Sequence, residues 1–116
     1  MKIIIAGGRD FKSYELLKYK CDIILKNVKT PIEIVSGKAK GADFLGETYA
    51  IEKGYEISYF PAGWEKHGKS AGVIRNEQMA NYADALIAFW DGKSRGTKNM
   101  IELAKKNNLA VKIIYY

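Results

Sequence analysis

Residues 2–10 read Lys2-Ile3-Ile4-Ile5-Ala6-Gly7-Gly8-Arg9-Asp10, an apolar run that stops at a pair of glycines. Consecutive apolar residues without polar alternation predict a strand over Lys2–Ala6 that is buried on both faces, as in a parallel sheet covered by helices. The chain then changes period. From Tyr14 to Asn27 the residues Leu16, Leu17, Cys21, Ile24 and Leu25 recur three and four apart, which gathers them on one side of a helix with Ser13 as its N-cap.

This alternation continues. Ile32–Val35 reads as a strand ending at Ser36-Gly37, and Asp43–Lys53 as a helix turning Ala42, Leu45, Tyr49 and Ala50 inward until Gly54 caps it. Glu56–Phe60 is a third strand, broken by Pro61, and Pro61–Ala71 reads as a polar loop before a helix from about Val73 to Tyr82. Ala85–Phe89 is a fourth strand, Trp90–Gly96 a loop, Thr97–Lys106 a helix stopped by Asn107-Asn108, and Ala110–Tyr115 a last strand. Such a pattern predicts an α/β, Rossmann-like, doubly wound and mostly parallel sheet of about five strands with helices on both faces. Ligands of such sheets lie beyond the carboxyl ends of the strands, where the strand order reverses, so the strand-to-helix loops are the candidate walls of a site.

Composition bounds the chemistry. A length of 116 residues fits one domain over 1–116, and 47% hydrophobic with 28% charged residues is the balance of a chain with a real core. No apolar run reaches the ~18–20 residues of a membrane span and the start lacks a secretory pattern, so a cytoplasmic protein with no membrane partner is expected. One cysteine, Cys21, and one histidine, His67, leave no internal disulfide and no credible zinc or iron site, so no metal and no cofactor are expected.

The formal net charge is +6. Its excess gathers on one predicted edge: the strand-to-helix loops and first helical turns hold ten cations (Arg9, Lys12, Lys38, Lys40, Lys66, Lys69, Arg75, Lys93, Arg95, Lys98) against four acids (Asp10, Asp43, Glu65, Asp91). Lysines that merely solubilise loops would give this count, and so would a field focused on phosphate. Gly7-Gly8-Arg9-Asp10 admits two readings as well, a turn that needs glycine or a backbone approach to an anion gripped by Arg9. The second small-residue loop, Ser36-Gly37-Lys38-Ala39-Lys40-Gly41-Ala42-Asp43, leads into a helix N-terminus where Asp43 is either an N-cap or a holder of a ribose hydroxyl. Asp91-Gly92-Lys93-Ser94-Arg95-Gly96-Thr97 is the third such loop. Neither a G-x-G-x-x-G fingerprint nor a P-loop is present. Trp64 and Trp90 sit at strand mouths, where an aromatic either stacks a base or covers a loop. Cys21 reads as inert packing and His67 as surface.

The runs Ile5-Ala6-Gly7-Gly8-Arg9-Asp10-Phe11, Ser36 to Asp43, Phe60-Pro61-Ala62-Gly63-Trp64, Gly68-Lys69-Ser70-Ala71-Gly72, Ile74-Arg75-Asn76 and Ser94-Arg95-Gly96-Thr97 resemble the YspA-related (cpYpsA-related) branch of the SLOG superfamily across almost the whole chain. That resemblance implies a nucleotide-binding Rossmann-like domain, with a nucleotide-derived small molecule such as an ADP-ribose or NAD relative as partner, and a homo-oligomer. Gly7, Gly8, Arg9, Asp10, Ser36, Gly37, Lys38, Gly41, Asp43, Arg75, Asn76, Asp91, Ser94, Arg95, Gly96 and Thr97 become the ligand-binding candidates. Some superfamily members, the LOG phosphoribohydrolases, cleave N-glycosidic bonds of nucleoside monophosphates. Their motif matches here at Arg75 and Gly96-Thr97, but the position of the catalytic glutamate is Met100, and a thioether is no general base. Arg75, Asp43 and Asp91 remain as catalytic candidates for that alternative. An Arg75-Asn76 pair resembling that of DprA, together with the net charge, makes single-stranded nucleic acid a third candidate partner.

Overall fold

Strand and helix alternate from end to end of the computed structural model, which describes residues 1–116. The order is β1 (Lys2–Gly7), α1 (Tyr14–Leu25), β2 (Glu33–Ser36), α2 (Ala42–Lys53), β3 (Glu56–Tyr59), a single turn α3 (Trp64–His67), a 3₁₀ turn (Gly68–Ser70), α4 (Ala71–Tyr82), β4 (Ala85–Trp90), α5 (Arg95–Lys106) and β5 (Ala110–Tyr115). All five strands are parallel, in the order β3-β2-β1-β4-β5.

β1 is the central strand, and its alternating side chains feed two cores. Ile3 and Ile5 join Ile34, Ile87 and Phe89 beneath Leu17, Cys21 and Leu25 of α1 and Tyr49 and Ala50 of α2. Ile4 and Ala6 join Val35, Leu86 and Ala88 beneath Met79 and Ala80 of α4 and Met100, Ile101 and Ala104 of α5. The isoleucine run is thus explained residue by residue: a strand covered on both faces has no polar side to offer. Ser13 caps α1 by accepting the Leu16 N–H at 3.2 Å, and Gly54 closes α2 at φ +75°. Burial pushes the Cys21 thiol up to about 12, which leaves it inert. No helix is long and apolar enough to cross a membrane.

Two expectations are corrected. Pro61–Ala71 is not a plain loop: Gly63 accepts the N–H groups of Lys66 and His67 at 3.1 and 2.8 Å, which winds α3 directly after the proline. Asp43 is not the N-cap of α2, because the helix begins one residue earlier, at Ala42, and Gly41 holds the capping position.

After β1, β2 and β3 are laid down in one direction, the chain crosses back to place β4 on the other side of β1. The loops leaving β1 and β4 therefore diverge from adjacent strands. A crevice opens between them.

Candidate functional site

A cavity of about 580 Å³ fills that crevice, walled by the loops after β1 and β4, the first turns of α2 and α5, α3 and one side of α4. Within its lining stand four cations, Arg9, Lys69, Arg75 and Arg95, and three carboxylates, Asp10, Asp43 and Asp91. Most of the excess positive charge predicted for this edge thus lies outside the lining, which is itself nearly balanced.

The β1 loop is a scaffold with an open tip. Gly8 donates its N–H to the Phe89 carbonyl at 3.1 Å, and its own carbonyl accepts the N–H groups of Phe11 and Ala42, both at 3.2 Å. Its amide is therefore closed to an anion, contrary to the reading of Gly8 as a phosphate donor. Gly41 makes this contact feasible: it sits at φ +77°, and a Cβ there would stand 2.2 Å from the Gly8 oxygen. Beyond the scaffold, Arg9 and Asp10 are exposed at the tip. Asp10 accepts the Tyr116 hydroxyl at 2.6 Å, and the Tyr116 ring packs edge-on against Phe11 with centroids 4.9 Å apart.

On the α4 side, a buried charge cluster closes the floor. Arg75 is 9% exposed and donates through Nη1 to the Gly37 carbonyl and through Nε to Asn76 Oδ1 at 3.0 Å. Asn76 in turn donates to the Gly96 carbonyl at 3.3 Å and to Asn99 Oδ1 at 2.9 Å, tying α4 to α5. Asp43, 4% exposed, accepts the Ala39 N–H at 3.4 Å. Asp43 and Arg75 stand on two sides of one point: a Cβ on Gly37 would lie 2.8 Å from Asp43 Oδ2 and 2.7 Å from Arg75 Nη1. Burial raises the Asp43 carboxyl from its ordinary 3.8 to about 6, against the opposing pull of Arg75. Burial likewise lowers the Arg75 guanidinium, with Asp43 opposing and Arg9 reinforcing the shift.

The β4 loop presents a helix end. Asp91 Oδ1 accepts the N–H groups of Lys93 and Ser94, both at 2.8 Å, and these bonds hold its carboxyl below the usual range. Ser94 caps α5, its hydroxyl 3.5 Å from the Thr97 N–H, while Trp90 donates its indole N–H to the Ser94 carbonyl at 3.1 Å. Arg95 and Gly96 are the first residues of a 12-residue helix, so their N–H groups have no intrahelical acceptor, and both line the cavity.

Gly7, Gly8, Arg9, Asp10, Asp43, Arg75, Asn76, Asp91, Ser94, Arg95, Gly96 and Thr97 are brought together around this one cavity. Ser36, Gly37, Lys38 and Gly41 are not among its walls. Ser36 is fully buried and donates to Glu47 Oε2 at 2.6 Å, and Lys38 pairs with Glu47 Oε1 at 3.3 Å. Lys38 and Gly41 line a smaller neighbouring cavity of about 280 Å³ that shares Ala39 with the first. Met100, where the resemblance places a glutamate, is 1% exposed and lines the main cavity as a thioether. Lys69, Gly72 and Asn99 are walls that the sequence reading did not select. Asn99 lies two residues beyond Thr97 in α5, and its place near the start of that helix was the signal available.

Known proteins resemble the chain in sequence and in fold. The Gene 61 protein of Mycobacterium phage D29 is 31% identical over 116 residues, covering 95% of this chain and 93% of that protein. A solved structure of DNA processing protein A from Helicobacter pylori, titled for its single-stranded DNA binding mode, superposes with a TM-score of 0.68 at 20% identity. It matches 97% of this chain, which spans 64% of the length of that one, and at such identity it shows the fold alone. The family model of the YspA, cpYpsA-related SLOG proteins matches residues 1–67, the part that holds the β1 loop, the Ser36–Asp43 loop and the start of the cavity rim. With the whole sheet order, the glycine loops and this match in agreement, the chain belongs to the YspA, cpYpsA-related SLOG family.

Proposed function

We propose that the cavity binds a phosphorylated nucleoside or a nucleotide-derived ligand of the ADP-ribose or NAD class, and that the chain acts as a sensor or effector of it. The observation that carries this reading is the open N-terminus of α5 facing the same cavity as Arg9 and Arg95. Unpaired N–H groups and guanidinium forks together are the equipment for a phosphate. Asp10, Asp43 and Asn99 add acceptors and an amide for ribose and base. A thermal-shift panel at fixed salt tests it, with AMP, ADP-ribose, NAD, inorganic phosphate and a short oligonucleotide. A ligand at 100 times its Kd stabilises by about 2.7 kcal/mol. The expected result is a shift with one nucleotide that phosphate does not reproduce; no shift with any nucleotide would end the reading.

A second reading, single-stranded nucleic acid, is supported by the fold shared with the Helicobacter pylori protein and by the net charge of +6. Counterion release separates the two. Oligonucleotide affinity falls by orders of magnitude between low and physiological salt, and that of a small ligand held by backbone amides far less. Turnover of an N-glycoside would rest on Asp43, the one cavity carboxyl that is both buried and raised toward neutral pH. Base release from nucleoside monophosphates, abolished by Asp43→Asn, is its test.

A further inference from the structure

Among the aromatic side chains, Trp64 alone lines the cavity. It belongs to neither hydrophobic core and pairs with no other ring. The residue is 51% exposed, held on α3 by a turn in which Gly68 donates its N–H to the Trp64 carbonyl. The edge of the ring reaches α4 at Gly72. A Cβ on that glycine would meet Trp64 Cη2 at 3.6 Å and Arg75 Nη2 at 4.0 Å, so the indole and the buried guanidinium border the same small patch of helix. The phosphate equipment belongs to other walls, the β1 loop and the first turn of α5, which line the same cavity. One wall therefore carries a half-exposed aromatic ring, while others are cationic and offer N–H groups.

Resting on the nucleotide reading above, we propose that Trp64 is the platform on which the base of a free nucleoside 5′-phosphate stacks, so that the cavity selects base-bearing ligands over bare sugar phosphates. An indole has the largest π-face of any side chain, and a stacked base removes apolar area of both partners from water without demanding a particular hydrogen-bond pattern. Trp64 then supplies discrimination for the base, and the loops supply affinity for the phosphate.

The test is calorimetric titration of the full chain and its Trp64→Phe and Trp64→Ala variants with AMP, ribose 5-phosphate and a tri-adenylate. Trp64 is a surface residue in a single turn, and an unchanged Tm confirms that each variant is folded. The parent is expected to bind AMP more tightly than ribose 5-phosphate. Trp64→Ala should weaken AMP by roughly 5- to 150-fold, the range measured for loss of one base-stacking aromatic, Trp64→Phe should retain most of the affinity, and ribose 5-phosphate should be unaffected. Equal parent affinities for AMP and ribose 5-phosphate would overturn the proposal and leave phosphate binding standing. So would an AMP preference that survives Trp64→Ala. Loss confined to the tri-adenylate, with no AMP binding, would move the platform to a nucleic-acid strand and contradict the assignment to a free nucleotide. If neither small ligand nor tri-adenylate binds the parent, the nucleotide reading itself fails and the platform with it.

Discussion

Asp43 keeps a carboxyl where water barely reaches, 4% exposed and raised by burial from 3.8 to about 6. The folded chain therefore binds more protons than the unfolded chain between those two values. Its contribution to stability is present below pH 4 and lost as the pH rises through 6, by roughly 3 kcal/mol at 1.36 kcal/mol per pH unit. Asp43→Asn removes the titration, so the stability of the variant relative to the parent should rise by about that amount from pH 4 to 7 in chemical denaturation. A difference that stays flat would mean that Asp43 does not titrate there. Gly37 makes the neighbouring prediction. Its missing Cβ leaves room for Asp43 and Arg75, so Gly37→Ala should displace the guanidinium and cost about 1–3 kcal/mol, as overpacking does. At this scale the sequence was partly legible. It marked Asp43 and Arg75 as polar residues at the strand-to-helix edge, but their meeting depends on the N-terminal halves of α2 and α4 coming together, which no local spacing encodes.

The elements translate those residues into a binding edge. α5 begins at the cavity because Asp91 folds the β4 loop back through two N–H groups and Ser94 caps the helix itself. Ser94→Ala should cost the low end of the usual range of about 0.5–2 kcal/mol, given a long 3.5 Å bond, and should weaken phosphate-bearing ligands more than it lowers Tm. Gly41 is the less forgiving position. With φ +77° and the Gly8 oxygen 2.2 Å from any Cβ, Gly41→Ala should cost about 2 kcal/mol or more and detach the start of α2 from the β1 loop, which chemical denaturation would register. Strands and long helices were legible because their periods are set by burial on one or both faces. α3 was missed because a single turn after Pro61 has no room for a period; it is wound by the Gly63 carbonyl, with the Trp64 carbonyl accepting the Gly68 N–H at its end.

At the level of the whole molecule, strand order decides where the site is. Placing β4 beside β1 rather than beside β3 opens the crevice, and the composition of the strands could not distinguish the two orders. The sequence marked three glycine-bearing loops without showing which of them would meet: those after β1 and β4 follow strands that prove adjacent, whereas Ser36, Gly37, Lys38 and Gly41 of the loop after β2 stay outside the cavity walls. The net charge of +6 sits largely outside the cavity lining, so nucleotide binding should weaken only modestly between roughly 50 and 200 mM salt, well under the ~10³–10⁵-fold typical of six to ten phosphate contacts. The most direct measurement is a crystal structure of the chain with ADP-ribose. Phosphate oxygens within hydrogen-bond distance of Arg9 or Arg95 and of the Arg95 and Gly96 N–H groups are the expected result; a ligand seated outside the crevice between β1 and β4 would contradict the assignment of this cavity.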